Sequence, residues 1–246
     1  MKTKKSVGFA LALAISLFFN IFGFAGFAQA YSDDEPLKMK IDMDLFEEFL
    51  DLMTDTFTGA KFEGVVKQTV NGAYMESKYT AYSQNLDYKR IDIVAEGKKV
   101  SHVTTPEKVW YYYEQSNFVA YFANKKNVAR FNSKVYFDSV IDDGKITKSV
   151  SDGMTTYKLV DYRYNIKQTF IFSNSTKKLQ LQIVEPEAGD KIESTYKGWE
   201  KVKIPKDIFT FPARAASKCL DQSMKKPSQS GRYGVGMLRM FNRINR

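Results

Sequence analysis

The sequence holds one histidine and one cysteine among its 246 residues. The single imidazole, His102, excludes a metal site built from several histidines and a proton relay between two of them. The single thiol, Cys219, excludes an intramolecular disulfide, so the hydrophobic core alone must hold the fold together. This thiol is therefore either a bystander or the site of an intermolecular disulfide.

Catalytic signatures are also missing. The chain contains no G-x-S-x-G nucleophile elbow, no phosphate-binding loop and no dinucleotide-binding glycine motif followed by a helix. Carboxylates from distant strands can meet in any fold, but no pair stands out in this sequence. The sequence therefore indicates a protein that is not an enzyme and that needs no cofactor or metal.

Acidic residues are scarce only at the two ends of the chain. Lysine and arginine outnumber aspartate and glutamate by 37 to 28, but most of the excess lies in the stretches 1–30 and 213–246. The stretch 31–212 is close to neutral. A balanced charge across the body of the protein argues against a nucleic-acid partner.

One long apolar run is present, and it lies at the N-terminus. Three lysines precede the apolar stretch 6–27, and Ala28-Gln29-Ala30 then places small residues where a signal peptidase cleaves. A run of this length also suffices for an uncleaved membrane anchor. The cleavage signature favours a signal peptide at 1–30 that is removed on export, with the periplasm as the location.

Hydrophobic periodicity divides the rest of the chain into one helix and many strands. Over 38–57 the apolar residues recur at helical spacing, which predicts an amphipathic helix. From residue 62 the period changes to two, which is typical of strands. The predicted strands are 62–70, 74–81, 87–95, 99–104, 108–114, 118–123, 155–163, 168–173, 179–185 and 191–199. Residues 125–142 lie between the first six and the last four predicted strands, and they are compatible with a short helix or an irregular segment that covers the sheet.

The predicted fold class is α+β, mainly β. Consecutive hairpins make an antiparallel sheet, and a sheet of about ten strands must curl or split. Curled around an apolar helix, it becomes a strongly curved sheet, or half-open barrel, that wraps the N-terminal helix and the central helical insert. This domain is expected over 31–212, and a flexible basic tail follows over 213–246.

A half-open barrel contains an apolar cavity wherever its helices do not fill it. Alternating apolar side chains of the strands would line such a cavity, and over 179–184 the leucines and isoleucine alternate with glutamines. The candidate ligand-binding residues are Ile91, Ile93, Trp110, Tyr112, Phe170, Phe172, Leu181 and Ile183. Over 109–113 both faces are equally apolar, so the sequence leaves open which face points inward.

Basic and apolar residues alternate near the C-terminus. Arg239, Phe241 and Arg243 belong to a segment that could form a short amphipathic helix. Such a helix would contact an anionic membrane surface. The alternative is a disordered terminus without a binding role.

Three stretches together resemble one known family. The first is 49–68, a helix followed by an aromatic-x-Gly strand that ends in Gln68. The second is 86–122, which contains the aromatic strand 109–113 between two others. The third is 204–212, which reads I-P-K-D-I-F-T-F-P. In this order they resemble the LolA/LolB-like outer-membrane lipoprotein carrier superfamily.

The resemblance implies a curved antiparallel sheet around helices, with an apolar cavity that takes acyl chains. It further implies an exported lipid- or lipoprotein-binding carrier of the bacterial envelope. Its partner would be a lipid or an acylated lipoprotein, and a membrane-protein partner is compatible with this role. The alternative is an envelope sensor or protein-interaction module of the same fold without a lipid cargo.

Overall fold

A computed structural model of the chain describes residues 41–70, 73–95, 97–123, 125, 128, 140–162, 165–186 and 191–221. Its described residues form the α-helix α1 (Met43–Phe57), the short 3-10 helices Glu114–Ser116 and Lys206–Phe209, and twelve strands in a single sheet, and residues 125, 128 and 140–142 are also helical. The strands are β1 Ala60–Val70, β2 Ala73–Ser83, β3 Lys89–Ala95, β4 Lys98–Thr104, β5 Val109–Tyr113, β6 Phe118–Phe122, β7 Gly144–Ser151, β8 Met154–Asp161, β9 Ile166–Ser173, β10 Leu179–Pro186, β11 Ile192–Lys201 and β12 Ala216–Cys219. The prediction of a mainly β protein is confirmed.

The order of the strands explains how the chain fills the sheet. It runs β12-β6-β5-β4-β3-β2-β1-β11-β10-β9-β8-β7, so β1 and β11 meet in the middle and β12 and β7 form the two edges. All neighbouring pairs are antiparallel except β12 and β6, which are parallel. The sheet is therefore open, because neither edge strand closes onto the other.

Helix α1 begins and ends where its sequence dictates. The Asp42 side chain accepts a hydrogen bond from the Leu45 backbone N–H at 3.1 Å, which caps the first turn. Gly59, two residues after the last helical residue, adopts a positive φ of 58° and turns the chain into β1. The predicted helix over 38–57 is thus confirmed from Met43 onward, and residues 38–40 lie outside the described residues.

The apolar side of α1 packs on one face of the sheet, which we call the inner face. Phe49 lies 5.3 Å from Tyr157 and 5.0 Å from Phe170, measured between ring centroids. At the other end of the helix, Phe57 lies 5.5 Å from both Phe62 and Trp199. These contacts tie α1 to strands β8, β9, β1 and β11, in the middle and second half of the sheet.

Polar contacts also join helix α1 to the sheet. The Glu48 carboxylate accepts hydrogen bonds from the Lys148 ammonium and the Tyr157 hydroxyl, each at 2.6 Å. Hydrogen bonds from Lys148 and then from Tyr157 hold the pKa of Glu48 below its ordinary value. Strand β7 is thereby linked to α1 even though most of its own side chains are exposed.

The opposite face, the outer face, is covered by the chain after β11. The outer cluster consists of Val103, Trp110, Val119 and Phe209, with Tyr88, Tyr112, Tyr121, Ile204, Ile208, Phe211 and Ala215 packed around them. The Arg90 guanidinium secures this covering segment, because it donates to the Ile208 carbonyl at 3.1 Å and pairs with Asp92 at 2.8 Å. The segment then delivers β12 to the free edge of β6.

Two strands were not predicted. Strand β7 buries little more than Ile146, so it lacks the apolar alternation by which a strand is recognised. Strand β12 is fully exposed and lies within the stretch 213–246 that was predicted to be a tail. Both are edge strands, and backbone pairing with a neighbour rather than side-chain burial defines them. The domain boundary at residue 212 stays a prediction.

Candidate functional site

The register of β2 to β6 arranges the inner-face side chains in three rows that cross the strands. The first row begins with Ser83, Lys89 and Thr104, which we call the polar row, and continues on β5 and β6 with the apolar residues Val109 and Phe122. The middle row contains Ala81, Ile91, His102, Tyr111 and Ala120, and the third row contains Tyr79, Ile93, Val100, Tyr113 and Phe118. Alternate residues of one strand lie about 7 Å apart along it, so the three rows span roughly 14 Å.

The polar row is as deeply buried as the apolar rows. Lys89 is 1% exposed, and Ser83 and Thr104, its cross-strand neighbours, are also buried. Burial lowers the pKa of Lys89 to about 7, against a smaller opposing effect of the Asp87 carboxylate. Lys89 therefore lies in the interior of the fold, where burial works against its charged form.

The middle row places an imidazole between Ile91 and Tyr111. His102 stacks on Tyr111 with 4.4 Å between ring centroids, and both side chains are fully buried. Burial, with a further contribution from the Lys89 charge, holds the pKa of His102 well below its usual range. His102 is therefore neutral at pH 7, and it lies on the same face as Val100, as the alternation of the sequence predicted.

Four of the eight predicted ligand-binding residues lie on the inner face. Ile91 and Ile93 belong to the middle and third rows, and they are part of the same core cluster as the apolar residues of α1. Phe170 and Phe172 lie under the helix, where Phe49 contacts both rings. The four residues thus belong to one buried core on the inner face.

Trp110 and Tyr112 lie on the outer face instead. Trp110 contacts the Phe211 ring at 6.0 Å, and Tyr112 is packed against the same cluster. The sequence left open which face of 109–113 points inward. In the structure it is the face that carries Val109, Tyr111 and Tyr113, which belong to the inner core. The covering segment 204–212 decides this assignment, because it supplies the apolar partners that Trp110 needs.

The predicted alternation over 179–184 is wrong, and a register shift is the reason. Leu179 is buried in the inner core, but the pairing of β10 with β9 shifts between Leu179 and Leu181. After the shift Gln182 and Val184 are buried, whereas Leu181 and Ile183 are only half-buried. An extra residue in one strand moves every later side chain to the other face.

A second buried polar group lies further along the inner face. The Tyr196 hydroxyl donates to the Gln182 side-chain oxygen at 2.7 Å, and the Gln182 amide donates to Gln168 at 3.0 Å. All three side chains are at least 98% buried. Their mutual hydrogen bonds account for the burial of these two glutamines.

Sequence reasoning did not identify the polar row or the glutamines. The burial of Lys89 could have been predicted from the sequence, because Lys89 lies on the same face of β3 as Ile91 and Ile93. A lysine in phase with buried isoleucines is a residue to examine, since charged side chains are almost never fully buried unless they are paired. The signal for Gln182 was hidden by the register shift.

The described residues contain no group of three or more histidine, cysteine, aspartate or glutamate side chains that could hold a metal ion. Cys219 is exposed on β12, and its thiol lies 3.1 Å from an Asp221 carboxylate oxygen. Within the described part of the chain, no helix combines the length and the apolar character that crossing a membrane requires. The predicted membrane contacts Arg239, Phe241 and Arg243, and the predicted signal peptide, lie outside the described residues.

No protein-family model and no curated protein sequence matches this chain. Several solved structures match it. An uncharacterized conserved protein from Thermus thermophilus has 11% sequence identity and a TM-score of 0.48, over 71% of this chain and 99% of that one. A LolA superfamily protein from Nitrosomonas europaea has 12% identity and a TM-score of 0.37, over 67% and 97%.

The Pseudomonas aeruginosa MucA/MucB complex is a third match, with 11% identity and a TM-score of 0.40, over 68% of this chain and 61% of that one. Identities this low compare folds alone, and the functions of these proteins do not transfer with them. The Nitrosomonas europaea protein is described as a member of the superfamily that the three sequence stretches resemble.

Proposed function

We propose that this chain is an exported binding protein of the bacterial envelope that holds the acyl chain of a lipid or lipoprotein. The signal peptide 1–30 directs it to the periplasm and is then removed. The sheet curves around α1, and the acyl chain lies between them on the inner face, whereas most of the predicted central insert 125–142 lies outside the described residues. Ile91 and Ile93 are its proposed contacts, with Phe170 and Phe172 at the border with α1.

The observation that carries the proposal is the inner face of β3 to β6. Its middle and third rows are apolar or aromatic, and Phe49 and Phe57 of α1 contact rings on other strands, namely β1, β8, β9 and β11. Ala81 and Ala120 place two small side chains in the middle row, between larger neighbours. Each methylene of an acyl chain that leaves water for such a surface contributes about 0.8 kcal/mol.

A second candidate function is a protein-interaction module of the same fold. It is favoured by β7, an edge strand whose Val150 side chain is 62% exposed. An exposed strand edge offers unpaired backbone groups to a strand of another protein. A chain that carries no lipid and pairs through β7 would perform this function instead.

Native mass spectrometry of residues 31–246, purified without detergent from an envelope fraction, tests the first proposal. We expect an adduct mass that organic extraction removes and that is identified as a lipid or an acylated peptide. The bare polypeptide mass, found again after incubation with phospholipid vesicles, would contradict the carrier function. The interaction module would then become the leading proposal.

The Ala120→Phe substitution locates the acyl chain. If Ala120 borders a space that the acyl chain occupies, phenylalanine fills that space, and we expect the adduct to be lost while the melting temperature is retained. If the space is already filled by protein, the larger ring overpacks the core and costs about 1–3 kcal/mol. Ala216→Phe, on exposed β12, is the matched control and should leave both adduct and melting temperature unchanged.

The basic tail is a separate part of the proposal. We expect that deleting 222–246 abolishes co-sedimentation with vesicles that contain anionic phospholipid, because Arg239, Phe241 and Arg243 are removed. The deletion begins after Asp221 so that β12 and its pairing with β6 are retained. Co-sedimentation that is unchanged by the deletion, or unaffected by salt, would refute a membrane contact through the tail.

A further inference from the structure

We infer that strand β7 binds an extended segment of a partner protein in which acidic residues alternate with apolar ones. The segment would add a strand to the sheet, with its acidic side chains on the outer face and its apolar side chains on the inner face. This inference rests on the second candidate function, and it specifies the chemical class of the partner. It does not depend on whether the inner face holds an acyl chain.

The edge of the sheet at β7 is long and regular. Its eight residues, Gly144–Ser151, pair with β8 without a register shift, and six of them are exposed. The strand contains no proline, and its only neighbour in the sheet is β8, so the backbone groups that point away from β8 are open to another strand. The other edge strand, β12, has only four residues and offers half that length.

Local contacts hold this edge in a fixed geometry. Asp152 and Gly153, which connect β7 to β8, have positive φ angles of 51° and 71°. Positive φ at both residues is typical of a type I′ turn, whose twist matches that of the flanking strands. The Lys148 ammonium also pairs with the Glu48 carboxylate of α1 at 2.6 Å. Strand β7 is therefore already extended and in place before a partner arrives.

The outer face of this edge is basic. Lys145 of β7 and Lys158 of β8 are exposed there, and neither forms an ion pair with another described residue. The acidic residues of the hairpin lie elsewhere, because Asp152 is in the turn and Asp161 is buried on the inner face. A strand added beside β7 would place its outer side chains next to Lys145, where a carboxylate stabilises the pairing and a second cation destabilises it.

The inner face of the same edge presents apolar surface. Val150 is 62% exposed, although it lies on the same face of β7 as Ile146, which belongs to the core. Lys148 lies between them, and its charge is already paired with Glu48. An apolar side chain on the inner side of an added strand would cover Val150 and remove its surface from water, which is favourable.

A second copy of this chain fits the edge less well than an acidic partner. Each β7 carries Lys145 and Lys148 and no acidic residue, so two β7 strands side by side would bring only lysines together. Like charges on neighbouring strands destabilise their pairing, and lysines on edge strands commonly prevent such association. The charge that opposes a second copy would attract the carboxylates of the proposed partner segment.

The test uses residues 31–246 and three capped, fluorescently labelled octapeptides. The first alternates glutamate with valine, the second alternates lysine with valine, and the third is the first with every backbone amide N-methylated, so that it cannot donate hydrogen bonds. Binding is measured by fluorescence anisotropy at about 20 mM salt, where screening is weak. We expect the glutamate peptide to bind at least about fivefold more tightly than the lysine peptide, and the N-methylated peptide not to bind.

Hydrogen exchange and one substitution assign the binding to β7. With the glutamate peptide bound, we expect slower amide exchange over 144–151 and unchanged exchange over 216–219. Lys145→Glu is expected to weaken the glutamate peptide by about fivefold and to strengthen the lysine peptide. Lys67→Glu, which reverses the same charge at an exposed position of the central strand β1, is the matched control and should change neither affinity.

The outcomes separate the class of partner from the function on which it rests. Equal binding of the glutamate and lysine peptides, with protection of β7, would overturn the acidic partner and leave the interaction module intact. An unchanged preference in Lys145→Glu would do the same. Binding that survives N-methylation, or protection of β12 in place of β7, would overturn strand addition at β7. A dimer that protects β7 would make a second copy the occupant, and failure of every peptide to bind would refute pairing through β7 itself.

Discussion

Replacing Gly64 by alanine is expected to unfold the middle of the sheet. Gly64 lies on β1 between Tyr79 of β2 and Tyr196 of β11. A methyl group on Gly64 would clash with the Thr195 carbonyl oxygen and with the Tyr79 ring and hydroxyl. Overpacking a core costs about 1–3 kcal/mol, and a clash with backbone exceeds that range because a strand cannot rotate away as a side chain does.

The clash exists because Tyr79 crosses over the glycine. Its hydroxyl donates to the Thr195 carbonyl at 2.9 Å, which joins the strands on either side of β1. Gly64 is thus the position where a side chain from one neighbouring strand reaches the backbone of the other. We expect the free energy of unfolding to fall by more than about 3 kcal/mol, a large part of the 5–15 kcal/mol of an ordinary domain.

Urea unfolding of the Gly64→Ala variant, followed by tryptophan fluorescence, measures this effect. Trp199 is a local reporter, because its ring stacks on Phe62 at 4.3 Å, two residues from the glycine. Lys67→Ala, on an exposed position of the same strand, is the control and should change the midpoint little. Adding Tyr79→Phe should restore little stability, since the Thr195 oxygen and the ring remain. A Gly64→Ala variant as stable as the unaltered protein would refute this account.

Phe49→Ala is expected to release α1 from the sheet. The ring is fully buried and contacts Tyr157, Phe170 and Phe172, so its removal leaves a cavity between the helix and strands β8 and β9. Substitutions of this kind cost about 3–5 kcal/mol, the transfer free energy of the ring together with the cost of the cavity. The second half of the sheet should therefore lose protection together with the helix.

Amide hydrogen exchange measured by mass spectrometry resolves this result along the chain. We expect faster exchange in α1, β8 and β9 of the Phe49→Ala variant, and a smaller change with Phe49→Leu, which retains part of the apolar volume. Glu47→Ala, on the exposed side of the same helix, should leave exchange unchanged. If only α1 exchanges faster while β8 and β9 keep their protection, the helix does not stabilise these strands as proposed.

Much of the local structure was determined by patterns within short stretches of sequence. Helix α1 follows from apolar residues at helical spacing and from the Asp42 cap, and the placement of His102 beside Val100 follows from alternation along β4. These features depend on neighbours a few residues apart, so the sequence contains all the information that they require. For the same reason the predicted count of about ten strands is close to the twelve strands of the sheet.

The faces of the strands were decided by contacts between distant residues. Strand β5 is apolar on both sides, and only the segment 204–215, which follows β11 and covers the outer face, assigns Trp110 outward and Tyr111 inward. In β10 a register shift against β9 buries Gln182 in place of Leu181. Neither the covering segment nor the shift has a local signature.

The sequence by itself thus determined that this protein is mainly β with one amphipathic helix, because periodicity is a local property. The tertiary structure decided which side chains share the interior, because that depends on register and on which segment covers each face. Lys89 and Thr104 illustrate the difference: each is an ordinary residue in its own strand, and the pairing of β3 with β4 makes them neighbours on the inner face.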